Sequence, residues 1–163
     1  NSPRQLDLAL LVREVFEAYR SIYPGHQLAL ECPDDGAWTI GVPELVVQAL
    51  DKLLENAASF CPAGGRITVR LARAAEQWAL GVSNEGPVLP AELQEHLFDP
   101  MVSLRRSESG GVHLGLGLHI VRLIVDFHRG GVKAENLPGG DGVCVTMNFP
   151  AITPAPEPAG RVS

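Results

Sequence analysis

A pair of glycines running straight into an amphipathic helix, Leu114-Gly115-Leu116-Gly117-Leu118, constrains this chain more than any other segment. Without Cβ atoms, positions 115 and 117 let the backbone close on a large anion. Apolar residues at 118, 120, 121, 124, 125 and 127 predict a helix from 116 to about 128. Its N-terminal N–H groups and positive dipole end would face that anion. Upstream, the serine- and glycine-rich run from Ser107 to Val112 suits a loop that closes over phosphate. The pattern is not a P-loop, since no Gly-Lys-Ser/Thr follows. It is a poor dinucleotide fingerprint too, because the third glycine is missing and the preceding segment is loop-like. An ordinary tight turn would also use these glycines, so other segments decide.

The 163 residues predict one domain over 1–150 and a proline-rich, loosely packed tail over 151–163. The opening Asn1-Ser2-Pro3 reads as a fragment edge. A net charge of −6 argues against a general binder of nucleic acid or anionic membrane. A phosphate ligand would then be held locally, by backbone N–H groups, a metal and a few basic side chains. Cys32, Cys61 and Cys144 are widely spaced and odd in number, as expected of buried reduced thiols in a cytosolic domain. No apolar run approaches the ~20 residues of a membrane span, and no signal peptide is expected.

Apolar spacing from Leu6 to Tyr19 predicts a helix capped by Asp7. Gln27 to Cys32 and Ala37 to Ile40 predict a hairpin around Pro33-Asp34-Asp35-Gly36. Pro43 opens a long helix from about Glu44 to Phe60. Residues 66–72 and 77–83 predict an antiparallel pair, Ala91 to Leu97 a short helix, and 132–135 with 143–149 the closing strands. Together these elements predict an α+β fold. It is a two-layer α/β sandwich, with a mixed, mostly antiparallel sheet covered on one face by about three helices.

Asn56 lies on the long helix beside core-facing neighbours, so its carboxamide needs a partner. It would either cap a nearby loop or serve as a neutral oxygen ligand for Mg²⁺, which favours hard oxygen donors. Lys52 and Glu55, on adjacent turns, would contact phosphate or orient water, or simply lie on a solvated face. Asn84 ends an apolar strand before Gly86-Pro87. Such a residue is usually a turn former. In an apolar cleft its oxygen would accept a hydrogen bond from the adenine amine and discriminate against guanine.

Four segments in this order resemble the ATP-binding catalytic domain of bacterial sensor histidine kinases, in the Bergerat-fold (GHKL) ATPase superfamily. Leu53 to Phe60 resembles the asparagine box, Val82 to Pro90 the first glycine box, Leu97 to Met101 the phenylalanine box and Leu114 to Val121 the second glycine box. The closing strand Val145 to Pro150 is similar as well, and the resemblance spans roughly residues 6–150. It implies a Bergerat fold, with ATP and Mg²⁺ as cofactors. Asn56 would coordinate the metal and Phe60 would pack near adenine. Gly86 would admit the base, and Leu114, Gly115, Leu116, Gly117 and Leu118 would contact the triphosphate. Arg105 and Arg106 would meet the γ-phosphate. Several positions depart from the family pattern. Asn84 replaces an aspartate, Val88 a glycine, Lys52 an asparagine, Ser59 a lysine, and His113 stands where a first glycine is frequent.

None of the five histidines lies in a His-Glu/Asp helix of the phosphoacceptor type. His119 and His128 read as surface or packing residues. The resemblance therefore implies a domain that donates the γ-phosphoryl group of Mg-ATP to a histidine on a separate dimerisation domain. Its parent would be a homodimeric two-component sensor kinase with a response regulator as partner. The domain itself would be a monomer making no contact with nucleic acid or membrane, in the cytoplasmic portion of an inner-membrane sensor. The alternative is a nucleotide-sensing or interaction module with little phosphotransfer. The gyrase, mismatch-repair and chaperone branch places a catalytic glutamate where this chain has Lys52, which counts against it.

Overall fold

The computed structural model describes residues 2–100 and 117–156. The chain begins with strand β1 (Arg4–Asp7) and helix α1 (Leu8–Ile22). The Asp7 side chain accepts from the Ala9 N–H and so caps α1, as its position before the apolar run predicts. Strands β2 (Gln27–Glu31) and β3 (Trp38–Gly41) precede the long helix α2 (Pro43–Phe60). Proline at its first turn gives up an N–H that the helix would not have bonded. Strands β4 (Arg66–Ala74) and β5 (Gln77–Glu85) form an antiparallel hairpin. The short helix α3 (Ala91–His96), helix α4 (Leu118–Phe127) and strands β6 (Gly131–Asn136) and β7 (Gly142–Pro150) complete the order.

The main sheet runs β2-β4-β5-β7-β6, and only the β2–β4 pair is parallel. Along β5, Trp78, Leu80, Val82 and Asn84 are all buried on the same face, matching the period of two. Helix α2 turns Val46, Ala49, Leu50, Leu53, Leu54 and Ala57 into this core, and α4 adds Leu118, Val121, Ile124 and Val125. Each large side chain fully buried there contributes about 1.5–3 kcal/mol. The sheet's other face carries mainly small and polar groups, among them Thr68, Ala79, Ser83 and Thr146. This is the two-layer α+β architecture expected from the sequence.

Three expectations differ from the structure. Residues 27–32 and 37–40 do not form a hairpin. The Ala37 N–H donates to Asp7 Oδ1 at 2.9 Å and its carbonyl accepts from the Leu8 N–H at 2.7 Å, which draws β3 onto β1. Strand β2 instead pairs with β4, in parallel. Leu6 and Asp7 belong to strand β1, so the first helix begins only at Leu8. The stretch after Pro150, expected to be loose, is bonded at its start. The Ala151 N–H meets the Glu76 carbonyl, the Ile152 N–H the Trp38 carbonyl, and the Ala155 N–H the Gln5 side chain.

Candidate functional site

Lys52, Asn56 and Phe60 recur every four residues on α2 and therefore form one stripe, about 12 Å long at the helical rise. The two ends of the stripe meet different elements. At one end, the Lys52 side chain packs on Gly117, where an added Cβ would lie 3.1 Å from Lys52 Cδ. At the other, a Cβ on Gly86 would lie 2.6 Å from the Phe60 carbonyl oxygen. Gly86 also has φ +145, a conformation that side chains rarely adopt. Glycine is required at 86 on both grounds. The fold thus brings the asparagine-box helix against the end of β5 and the start of α4.

Gly117 is the N-cap of α4, in the left-handed region at φ +98 and with no side-chain cap. The first intrahelical bonds to its carbonyl come from Ile120 and Val121. Among the described residues, the N–H groups of Leu118 and His119 are left to other acceptors, which suits an anion at this helix start. Lys52 Nζ adds a positive charge beside it and lies 3.9 Å from Glu55 Oε1 in a loose, half-exposed pair. Ser59, which stands where the resemblance places a lysine, has its hydroxyl donated to the Glu55 carbonyl at 3.0 Å.

Asn84 closes the core-facing row of β5 and is 4% exposed. Its Nδ2 donates to the Glu85 carbonyl at 3.0 Å. A carbonyl oxygen only accepts, so the amide nitrogen faces it and Oδ1 is the atom left to accept. Among the described residues no donor reaches that oxygen. Phe60 is half-buried against the core at the same end. The loop after Gly86 is clamped by Asn136, which accepts from the Leu89 N–H at 2.7 Å and donates to the Leu89 carbonyl at 3.0 Å. The sequence reading missed Asn136, whose only signal was an asparagine at the end of an apolar strand.

Asn56 is half-buried, and among the described residues its carboxamide has no hydrogen-bond partner. Glu55 is exposed on the adjoining flank, toward Tyr23 at the C-cap of α1. Burial raises the Tyr23 phenol above its ordinary value, and the charges of Glu55 and Asp51 push it further. Among the described residues no group of three or more His, Cys, Asp and Glu side chains could hold a metal ion. The expected site residues Arg105, Arg106, Leu114, Gly115 and Leu116 lie outside the described residues. Of the rest, Lys52 meets Gly117 at one end of the stripe, Phe60 and Asn84 lie against Gly86 at the other with Asn56 between, and Leu118 is buried in the core.

A family profile described as histidine kinase-, DNA gyrase B-, and HSP90-like ATPase matches residues 41–153. The sensor protein DivL of Caulobacter vibrioides is 39% identical over 126 residues, 77% of this chain and 16% of that protein. The adaptive-response sensory kinase SasA of a Synechococcus species is 30% identical over 152 residues, 91% of this chain and 39% of that protein. The chain therefore spans two fifths or less of the length of these curated relatives. In structure it is similar to the nucleotide-free catalytic domain of the histidine kinase ThkA. That match has a TM-score of 0.78 and 25% identity, and covers 92% of this chain and 97% of that one. ThkA in complex with the response regulator protein TrrA matches with a TM-score of 0.76 and 24% identity, over 92% of this chain and 42% of that one.

Proposed function

The chain belongs to the histidine kinase-, DNA gyrase B- and HSP90-like ATPase family, and we propose that it is the ATP-binding part of a sensor histidine kinase. In this role it binds Mg-ATP along the α2 stripe and offers the γ-phosphoryl group to a histidine elsewhere in a longer, dimeric protein. The observation that carries this reading is the meeting of one α2 stripe with the acceptor oxygen of Asn84 beside Gly86 and with the start of α4 at Gly117, which has no side-chain cap among the described residues.

Asn84 Oδ1 accepts from the adenine amine, Gly86 lets the base approach the backbone, and Phe60 packs beside it. At the other end, the backbone of 115–118 with Leu114, the ammonium of Lys52 and the guanidinium groups of Arg105 and Arg106 face the phosphates. Asn56, whose carboxamide has no partner among the described residues, suits Mg²⁺ as an oxygen donor, and Glu55 on the adjoining flank would orient water. Bound Mg²⁺ neutralises charge between the phosphates. In transfer, a nitrogen of the acceptor imidazole forms a bond to the γ-phosphorus as the bond to the bridging oxygen breaks, and ADP leaves. The contribution of this domain is position and charge. A dimerisation domain and a response regulator are the partners this reading requires. The solved complex of the structurally similar ThkA supports the second. The parent is then an inner-membrane sensor with this domain on its cytoplasmic side. Among the described residues, no helix is long and apolar enough to cross a membrane.

Calorimetry tests the site. The domain should bind ATP in a Mg²⁺-dependent way, on the order of tens to hundreds of micromolar because ordering opposes binding. Asn56→Ala should lose the metal-dependent part, and an unchanged Mg²⁺ dependence would remove Asn56 from its role. Supplied in trans with the parent's dimerisation helices and γ-labelled ATP, the domain should label one histidine there. Gly115→Ala with Gly117→Ala should suppress the label. Normal ATP binding with no labelled histidine would favour the nucleotide-sensing alternative, to which Asn84 and the engaged hydroxyl of Ser59 lend weight.

A further inference from the structure

His128 sits at the C-terminal end of α4, only 5% exposed, with both ring nitrogens engaged. Its Nδ1 lies 2.8 Å from the Ile124 carbonyl, and a carbonyl only accepts, so Nδ1 carries the hydrogen. Nε2 is then a bare acceptor, and it receives the Val42 N–H at 3.1 Å. The hydrogen-bond network thus assigns one neutral tautomer. The ring packs edge-on against Phe149, with centroids 5.6 Å apart. Above it lies Gly41, where an added Cβ would come within 2.8 Å of His128 Cδ2 and 2.9 Å of Nε2. Glycine at the end of β3 leaves the space that this imidazole fills.

Val42 is the N-cap of α2 and has no side-chain cap of its own. The bond from its N–H to His128 therefore joins the N-cap of one site helix to the C-cap of the other. These helices touch again at the far end, where the Lys52 stem meets Gly117. They run antiparallel, and α4 is pinned at both of its ends, with about 15 Å of α2 between the pins. Movement at the base is carried by two rigid rods to the spacing between Lys52 and the start of α4.

We propose that His128 is a positioning residue for the nucleotide site, holding α4 against the N-cap of α2 so that Gly117 and Lys52 face one phosphate group together. The proposal rests on the nucleotide reading above. A displacement of about 1 Å at a phosphate site can cost up to 10²-fold in function, so the base contact matters at that distance.

Three variants test it: His128→Gln, which keeps an acceptor oxygen near the Nε2 position; His128→Phe, which keeps the ring and removes the acceptor; and Gly41→Ala, which pushes on the ring from outside. Affinity for Mg-ADP is read by calorimetry, and folding by near-UV circular dichroism and thermal melting. His128→Phe should bind about tenfold more weakly. His128→Gln should bind close to the wild-type level, and Gly41→Ala should fall between them. In the wild type, nitrogen NMR should show a protonated Nδ1 and a bare Nε2. Lowered melting with unchanged affinity in His128→Phe would reduce His128 to packing and overturn the proposal. Equal binding by the Gln and Phe variants, or a protonated Nε2, would overturn it as well. If His128→Phe does not fold, Gly41→Ala and the NMR assignment still decide. Failure of the wild type to bind Mg-ADP would take down the nucleotide reading itself, an outcome distinct from wild-type binding that ignores His128.

Discussion

Asn84 closes a row of buried apolar side chains on β5, and among the described residues nothing donates to its carboxamide oxygen. Its nitrogen is already committed to the Glu85 carbonyl, so what the side chain presents is an acceptor, as an aspartate would. Under the proposed nucleotide reading, the consequence is a choice of purine. Adenine offers an amine where guanine offers a carbonyl, and two facing acceptors repel. GTP should therefore displace a bound ATP analogue poorly, whereas Asn84→Asp should keep or improve ATP affinity. Asn84→Leu should weaken ATP by about 1–3 kcal/mol, because the buried base edge loses its partner. A competition titration checks all three, and equal displacement by GTP removes Asn84 from base recognition.

Between elements, α1 is joined to α2 by the Tyr19 hydroxyl, which donates to Asp51 Oδ1 at 2.5 Å. Burial pushes the Tyr19 phenol far above the ordinary 10.0, and the bond to Asp51 adds to it. Tyr23 is shifted the same way by burial and by Glu55. These are the chain's two tyrosines, so folding holds both phenols protonated beyond their ordinary pH. The unfolded chain releases these protons near 10.0 and the folded one holds them. Their contribution to stability is then complete below that pH and is lost as pH climbs beyond it. Urea unfolding from neutral pH to about 11 should show this fall, and Tyr19→Phe should flatten most of the slope. An ultraviolet titration of the folded protein should show its phenolate steps above the ordinary 10.0, with Tyr19 the later of the two.

The helices were legible because each carries its own signals: Asp7 before an apolar stripe, Pro43 at a first turn, Gly117 at a helix start. The stripe of Lys52, Asn56 and Phe60 was legible for the same reason, being set by spacing within one helix. What the sequence hid was pairing at a distance. Gln27–Glu31 alternates as well for a hairpin as for a parallel edge, and only the contacts of Ala37 with Asp7 and Leu8 separate the two. His128 was hidden too, since nothing near it in sequence announces Val42 or Gly41 as its neighbours.

Over the whole molecule, the helices cover one face of the sheet, and its strands are joined by unequal paths. Strands β4 and β5 turn through Ala75 and Glu76, and β6 and β7 through the short Leu137–Asp141 turn, so each pair can close locally. Strand β2 cannot, because β3 and the whole of α2 lie between it and β4. Closing that long loop costs more chain entropy and is rewarded only once β4 has something to lean on. The parallel pair therefore fixes a schedule: hairpins first, then α2 on their inner face, then β2 at the edge. Pulse-labelled hydrogen exchange during refolding should find the β4–β5 amides protected before those that join β2 to β4, and simultaneous protection would refute that order. During that interval the outer edge of β4 stands unpaired in water, an exposed template at which another unfolded chain can add, so crowded refolding is when this protein is most open to aggregation.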